Sequence, residues 1–359
     1  MHDDLVGGSV RWWRRAVAVL SVLVALMFAA VVGVIPGFAP AAPPVTVGVV
    51  PPWDAERGMA DLDRHAGQLT QVAPWWFRPV ASGEVRMIGD RAALEDVVDI
   101  ARRHDQKVVP MVTNFQDGAW DADLVGAVLA DARAVAVHVA AVTELVVEGG
   151  YDGIHLDYRD LAPRDADRYA DLVRRIATSL DTHGKLTAVS VQAQTHADDP
   201  ASRAHDYARL GEWVEQLHVL ALDHHWRTPG PLAPIGWVDE VAGYASSVVP
   251  PERVILSVGV HGRVWGPDGP ETLTLEQVAD RIDGHPSAPG FDPQSASPFL
   301  EGADVHEWTE LWFEDEESLR RKFAVVDRHG LGGVLLWRLG GTVPAVWDTL
   351  DDELGPVTP

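Results

Sequence analysis

From Val45 onward, short and nearly continuous apolar runs alternate with longer amphipathic stretches. Eight runs read as strands: Val45–Val50, Gln71–Phe77, Lys107–Asn114, Tyr151–Tyr158, Lys185–Gln192, Gln216–Leu222, Arg253–Val260 and Gly332–Trp337. Between them, Asp90–His104 gathers Leu94, Val97, Val98 and Ile100 near one face, and Ala166–Leu180 and Glu316–His329 repeat the pattern. Apolar strands alternating with helices predict a parallel sheet, and eight such units predict a (β/α)₈ TIM barrel spanning about 45–353.

A small insertion is expected between strands seven and eight, over about 266–313. It would hold a helix at Leu275–Ile282 and a hairpin around Glu301–Trp312. The acidic tail after Leu350 is expected to fray. A doubly wound sheet would need a glycine-rich phosphate turn after its first strand. Val49-Val50-Pro51-Pro52-Trp53 is proline-rich instead.

The N-terminal pattern is different. Ala16–Ile35 is an uncharged apolar run, and about twenty residues suffice to cross a bilayer. Arg11, Arg14 and Arg15 precede it within the basic segment 1–15, and Trp12 and Trp13 sit where an interfacial belt belongs. The positive-inside rule places segment 1–15 in the cytoplasm and the barrel outside, behind a Pro/Ala-rich linker at 36–44. The expectation is a single-pass cell-membrane protein with one N-terminal transmembrane helix. A secreted protein freed by cleavage near Ala39-Pro40-Ala41 is the alternative.

The formal net charge of -24 excludes the basic face that nucleic-acid binding needs. With no cysteine there is neither a disulfide framework nor a thiolate metal site. The 14 tryptophans supply flat apolar surface suited to sugar rings and equally suited to core packing.

Chemistry concentrates on the fourth strand, Tyr151-Asp152-Gly153-Ile154-His155-Leu156-Asp157-Tyr158-Arg159-Asp160. Alternation puts His155, Asp157 and Arg159 on one face. This frame resembles the D-x-x-D-x-D-x-E signature of glycoside hydrolase family 18, the chitinase family, with Asp152, His155, Asp157 and Arg159 at its four positions. Ala221-Leu222-Asp223-His224-His225-Trp226, with Pro229-Gly230-Pro231 and Ala233-Pro234, resembles the segment after strand six in the branch of bacterial spore-cortex and spore-germination glycosidases. Val254–His261, Leu311-Trp312-Phe313-Glu314-Asp315 and Gly333–Gly341, which contains Trp337-Arg338-Leu339-Gly340-Gly341, resemble later segments of that branch in the same order.

The resemblance implies substrate-assisted cleavage, in which the substrate's 2-acetamido oxygen attacks the anomeric carbon and a Glu protonates the leaving oxygen. Asp157 matches the residue that orients the acetamido group, Trp337 the floor of the sugar pocket, and Asp223 keeps its place. Two positions depart. Arg159 stands where the acid should be, and a guanidinium donates no proton as an acid near neutral pH. Leu222 replaces the acetamido-binding Tyr.

The site expected from these readings has Asp157 and Asp152 as catalytic-frame residues and Arg159 in the acid position. Trp337, Asp223, Trp226, Asn114, Trp76, Trp53 and His155 would contact substrate. Trp75 and Trp120 lie near the same mouth, as cleft or as core. Asp223, His224 and His225 are explained by the resemblance without a metal, and no cofactor is implied. The partner would be a glycan with N-acetylated amino sugars, peptidoglycan or chitin-like, on a barrel impaired in hydrolysis. An active glycosidase with a relocated acid and a surface scaffold without sugar affinity are the alternatives.

Overall fold

The computed structural model describes residues 43–199, 204–302 and 308–355. The expected anchor, Ala16–Ile35, and most of the linker lie outside the described residues. Among those described, no single helix is long and apolar enough to cross a membrane.

The eight expected runs form one curled sheet of parallel strands. Val45–Val50 pairs with Gly333–Trp337 on one side and Gln71–Pro74 on the other. The ring continues from Gly333–Trp337 through Val254–Gly259, Gln216–Leu220, Leu186–Gln192 and Gly153–Asp157 to Met111–Thr113. The second and third strands are each broken. Gln71–Pro74 pairs with Lys107–Val108, and Phe77–Pro79 pairs with Met111–Thr113. Two backbone bonds bridge the break at Val109-Pro110: Val109 N donates to Val72 O (2.9 Å) and His155 N donates to Pro110 O (2.9 Å). The result is a TIM-barrel-like α/β fold.

Register decides what faces the axis. Val47 pairs with Leu335 and with Gln71, Met111 with His155, His155 with Ala188, Ser190 with His218, and Leu220 with Ser257. Side chains alternate along each strand, so these residues all point inward. The interior is therefore divided. Val47, Val49, Ala73, Trp75, Met111, Ile255 and Leu335 pack one side, while His155, Ser190, His218 and Ser257, all buried, fill the other. The opposite parity, including Ile154, Leu156, Val189, Val191, Leu217, Val219, Leu256, Val334 and Leu336, packs against the helices.

The helices begin and end where local chemistry directs. Arg91–Arg103 starts at Asp90, whose carboxylate accepts from Ala93 N. Glu316–His329 starts at a capping box between Asp315 and Ser318, and stops at Gly330 in the left-handed conformation (φ 62°).

The inserted subdomain begins five residues before its expected start of 266. Val260 N donates to Trp337 O, and His261–Gly266 then leaves the barrel as an inner strand of a five-stranded antiparallel sheet. That strand pairs with Gly269–Thr274 and Glu310–Phe313, and the latter with Ser297–Glu301. Nothing in His261-Gly262-Arg263-Val264-Trp265-Gly266 marks a break after the seventh strand, so only the pairing reveals the departure. Of the tail after Leu350, residues 351–354 complete the helix Pro344–Leu354, with Glu353 3.8 Å from Arg320, and residues 356–359 lie outside the described residues.

Where the insertion returns to the barrel, Glu314 and Lys322 form a buried ion pair, and Ser318 Oγ donates to the same carboxylate. Lys322→Met is expected to cost about 3–5 kcal/mol in chemical denaturation, because it strands a buried carboxylate. Adding Glu314→Gln should recover most of the loss. A cost below about 1 kcal/mol for the single change would show that the pair has no structural weight.

Candidate functional site

The fourth strand, Gly153–Asp157, is buried throughout and ends at the C-terminal rim, where barrels of this type carry their chemistry. The backbone just beyond it is held on both sides. His205 Nε2 donates to Tyr158 O (2.9 Å), while its Nδ1 accepts from Gln192 N (3.0 Å). Asn114 clamps the next residue: Arg159 N donates to Asn114 Oδ1 (2.9 Å) and Asn114 Nδ2 donates to Arg159 O (3.0 Å).

So held, Arg159 folds back on Asp157. Nε donates to Oδ1 (2.8 Å) and Nη2 to Oδ2 (2.9 Å), a side-on bidentate ion pair. Asp157 is wholly buried, and the Arg159 side chain is 16 % exposed. The guanidinium carbon lies 4.2 Å from the ring centre of Trp120, which is carried by the short hairpin Phe115–Gln116 and Ala119–Trp120. Aromatic contacts continue round the rim. Trp120 meets Phe115 edge-on at 5.0 Å, Phe115 meets Trp75 at 5.7 Å, and Trp75 meets Trp53 at 4.9 Å and Trp337 at 6.4 Å.

Across the mouth, Asp223 adopts a left-handed backbone (φ 61°) in the loop after strand six. Its Oδ1 accepts from Arg263 Nη2 (2.9 Å) and lies 3.3 Å from His261 Nε2. Burial works to raise its pKa. The hydrogen bond from His261 and the charges of His261, Arg263 and Arg159 outweigh this and hold it at about 2, against an ordinary 3.8. Arg263 and His261 belong to the inserted sheet. Sequence reading missed both, because nothing local connects position 223 to 261 and 263. A pocket of about 260 Å³ opens beside them, lined among others by Trp53, His261, Thr274, Trp337 and Arg338. Arg338 Nη1 is fixed by Asp54 Oδ2 (2.6 Å).

Several expected site residues do other work. Asp152 lies at the opposite end of its strand, and its carboxylate accepts from Val108 N (2.8 Å), tying strands three and four together. Trp76 has the outward parity; it is wholly buried and donates Nε1–H to Asp90 O (3.0 Å). His155 sits beneath Asp157, bonded to Ser190 Oγ (2.8 Å) and 4.3 Å from the ring of His218, sealed from the mouth. Asn114 is buried and uses Nδ2–H and Oδ1 on the Arg159 backbone, so it positions that residue. Trp337 and Trp53 do share a pocket. Trp226 is half exposed under Arg227 (4.5 Å). Leu222 is buried. The two loop histidines diverge from Asp223: His225 Nδ1 donates to Pro231 O (2.9 Å), and His224 lies against Trp237 (4.6 Å).

Comparison with known proteins places this geometry. The model of glycosyl hydrolases family 18 matches residues 68–341. A cortical fragment-lytic enzyme of Bacillus cereus is 27% identical over 302 residues, covering 79% of this chain and 67% of that protein. A putative sporulation-specific glycosylase YdhD of Bacillus subtilis is 26% identical over 304 residues, with coverage of 80% and 71%. The crystal structure of the Bacillus cereus spore cortex-lytic enzyme SleL has a TM-score of 0.78 at 22% identity, covering 87% of this chain and 75% of that one. That of a chitinase from Chromobacterium violaceum has a TM-score of 0.80 at 24% identity, with coverage of 87% and 99%.

Buried imidazoles around the site give the fold a defined acid sensitivity. Burial lowers His205 and His138 to about 4 and His155 to about 3, from an ordinary 6.5, and holds His218 well below that ordinary value too. These groups stay neutral in the folded chain while the unfolded chain protonates below about pH 6.5. Their stabilisation is therefore complete above about pH 6.5 and drains as the pH falls through about 4 to 3. Denaturation midpoints measured between about pH 7 and 4 are expected to fall steadily. A flat profile would mean that these histidines are protonated alike in both states.

Proposed function

The chain belongs to family 18 of the glycosyl hydrolases, and within it we propose a glycan-binding member that has lost ordinary hydrolysis. Members of this family bind N-acetylglucosamine glycans such as chitin or peptidoglycan. The observation that carries the reading is the bidentate pair between Arg159 and Asp157. It affects two requirements of the chemistry together. The position of the proton donor holds a group that stays protonated, and general acid catalysis is worth about 10²–10⁴ in rate. The carboxylate that would orient the acetamido group already accepts from a guanidinium through both oxygens, and the matching hydroxyl is replaced by Leu222.

What remains is a rim suited to binding: Trp53 and Trp337 beside a 260 Å³ pocket, and the half-exposed Trp226. Aromatic faces and a few fixed polar groups are what a sugar ring needs. The test is release of reducing ends from peptidoglycan and from N-acetylglucosamine oligomers. The native chain is expected to release none. Arg159→Glu is expected to show measurable turnover, increased by adding Leu222→Tyr. Turnover by the native chain would sink the reading in favour of a relocated acid.

The reading extends to location. An uncharged run at Ala16–Ile35 behind Arg11, Arg14 and Arg15 supports a retained anchor with the barrel outside the cell. In intact cells, externally added protease is expected to degrade the barrel while the protein stays in the membrane fraction. A barrel protected until lysis, or recovered free in the medium, would overturn this.

A further inference from the structure

The geometry points to Arg159 as a recognition group for a carboxylate on the glycan, so that this rim selects an acidic N-acetyl amino sugar over a neutral one. The inference rests on the glycan-binding reading and names its ligand class.

A guanidinium carries five N–H donors and no acceptor. Two of them, on Nε and Nη2, are spent on Asp157. The outer edge, with one N–H from each Nη nitrogen in the end-on geometry, is not used by the described protein. Among the described residues Nη1 meets no hydrogen-bond acceptor, and the side chain keeps 16 % of its surface open. Two parallel N–H groups on a planar fork match the two oxygens of a carboxylate.

The fork is also fixed before any ligand arrives. Trp120 covers one face at 4.2 Å, Asp157 holds the inner edge, and Asn114 holds the backbone at both N and O. An arginine side chain otherwise carries about 2 kcal/mol of rotamer entropy, and here that freedom is already restricted. An anion would therefore meet a donor array that needs little ordering.

The available edge offers donors only, so a sugar hydroxyl can use it only as an acceptor and a carboxylate uses it fully. The local charge is balanced: Asp157 neutralises Arg159, and Asp223 across the mouth is matched by Arg263. With a net charge of -24, long-range attraction to anions is absent, so selectivity must come from the short-range fork.

The test is calorimetric titration of the full-length chain with three tetrasaccharides of equal length. One is neutral and built of N-acetylglucosamine, one alternates N-acetylglucosamine with N-acetylmuramic acid, and the third is the second with its carboxyls reduced to alcohols. The acidic ligand is expected to bind at least about tenfold more tightly than either neutral one. Arg159→Lys, which keeps the charge without the fork, and Arg159→Gln should both erase that preference, so that the acidic ligand binds no more tightly than the neutral ones. Trp120→Leu should weaken the preference with Arg159 still present; Arg159→Gln is expected to melt lower because it strands Asp157, and a retained cooperative transition marks an intact fold. Equal binding of all three ligands by the native chain, or a preference that survives Arg159→Gln, would overturn the inference and leave glycan binding standing. Binding of none of the three would bring down both.

Discussion

Closure of the parallel ring is the constraint from which the site follows. Register is fixed on both sides of every barrel strand, so no strand can slip by one residue without exchanging its interior face for its helix-facing one. Met111 against His155 and Val47 against Leu335 set the inward parity. Two residues further along, the same parity brings Asp157 and Trp337 to the rim. The division of the interior follows as well. Tryptophans gather above the apolar half, and the charged groups gather above the half that carries His155, Ser190 and His218.

A wholly buried carboxylate at that rim needs a partner, because an uncompensated buried charge costs several kcal/mol. Arg159 supplies it from two residues away, and the pair then behaves as one unit. A buried ion pair gains little over a well-packed apolar pair, yet losing either member is expensive. The stability argument alone therefore does not account for an arginine here. The contacts around it are more telling. Asn114 and Trp120 come from the stretch that follows the third strand and His205 from the loop after the fifth, and each uses a polar or aromatic interaction on Arg159 or on the carbonyl immediately before it.

Much of this was legible in the sequence, and the failures have physical causes. Strand positions could be read because buried parallel strands are apolar on both faces, and Glu316–His329 because its apolar positions recur at helical spacing. The proximity of Asp157 and Arg159 follows from alternation, but the bidentate geometry depends on Asn114 and Trp120. Trp76 was misplaced because Trp75 and Trp76 are adjacent and sequence cannot say which takes the inward parity across a broken strand. His155 was placed with the site by parity alone, which gives the facing direction but not the depth. Asp152 belongs to the same motif yet lies at the far end of its strand, where motif membership and catalytic reach part company. Arg263 and His261 were invisible because they reach Asp223 from a subdomain folded over the mouth.

The two departures from the family pattern also act in one direction. Replacing an acid by Arg159 turns a group that can give up a proton into one that only donates hydrogen bonds. Replacing a hydroxyl by Leu222, which is buried, removes a polar group beside Asp223 in the chain. A rim that had simply lost its chemistry would leave a long cationic side chain free to sample many rotamers in water. Here the guanidinium is stacked, paired along one edge and anchored at its backbone, while its other edge stays open. Holding a flexible charge so firmly opposes an entropy of about 2 kcal/mol. Asp157 alone would satisfy the ion pair without the Trp120 stack or the Asn114 clamp. These additional restraints fix where the unused edge points, and that direction matters only if something docks against it.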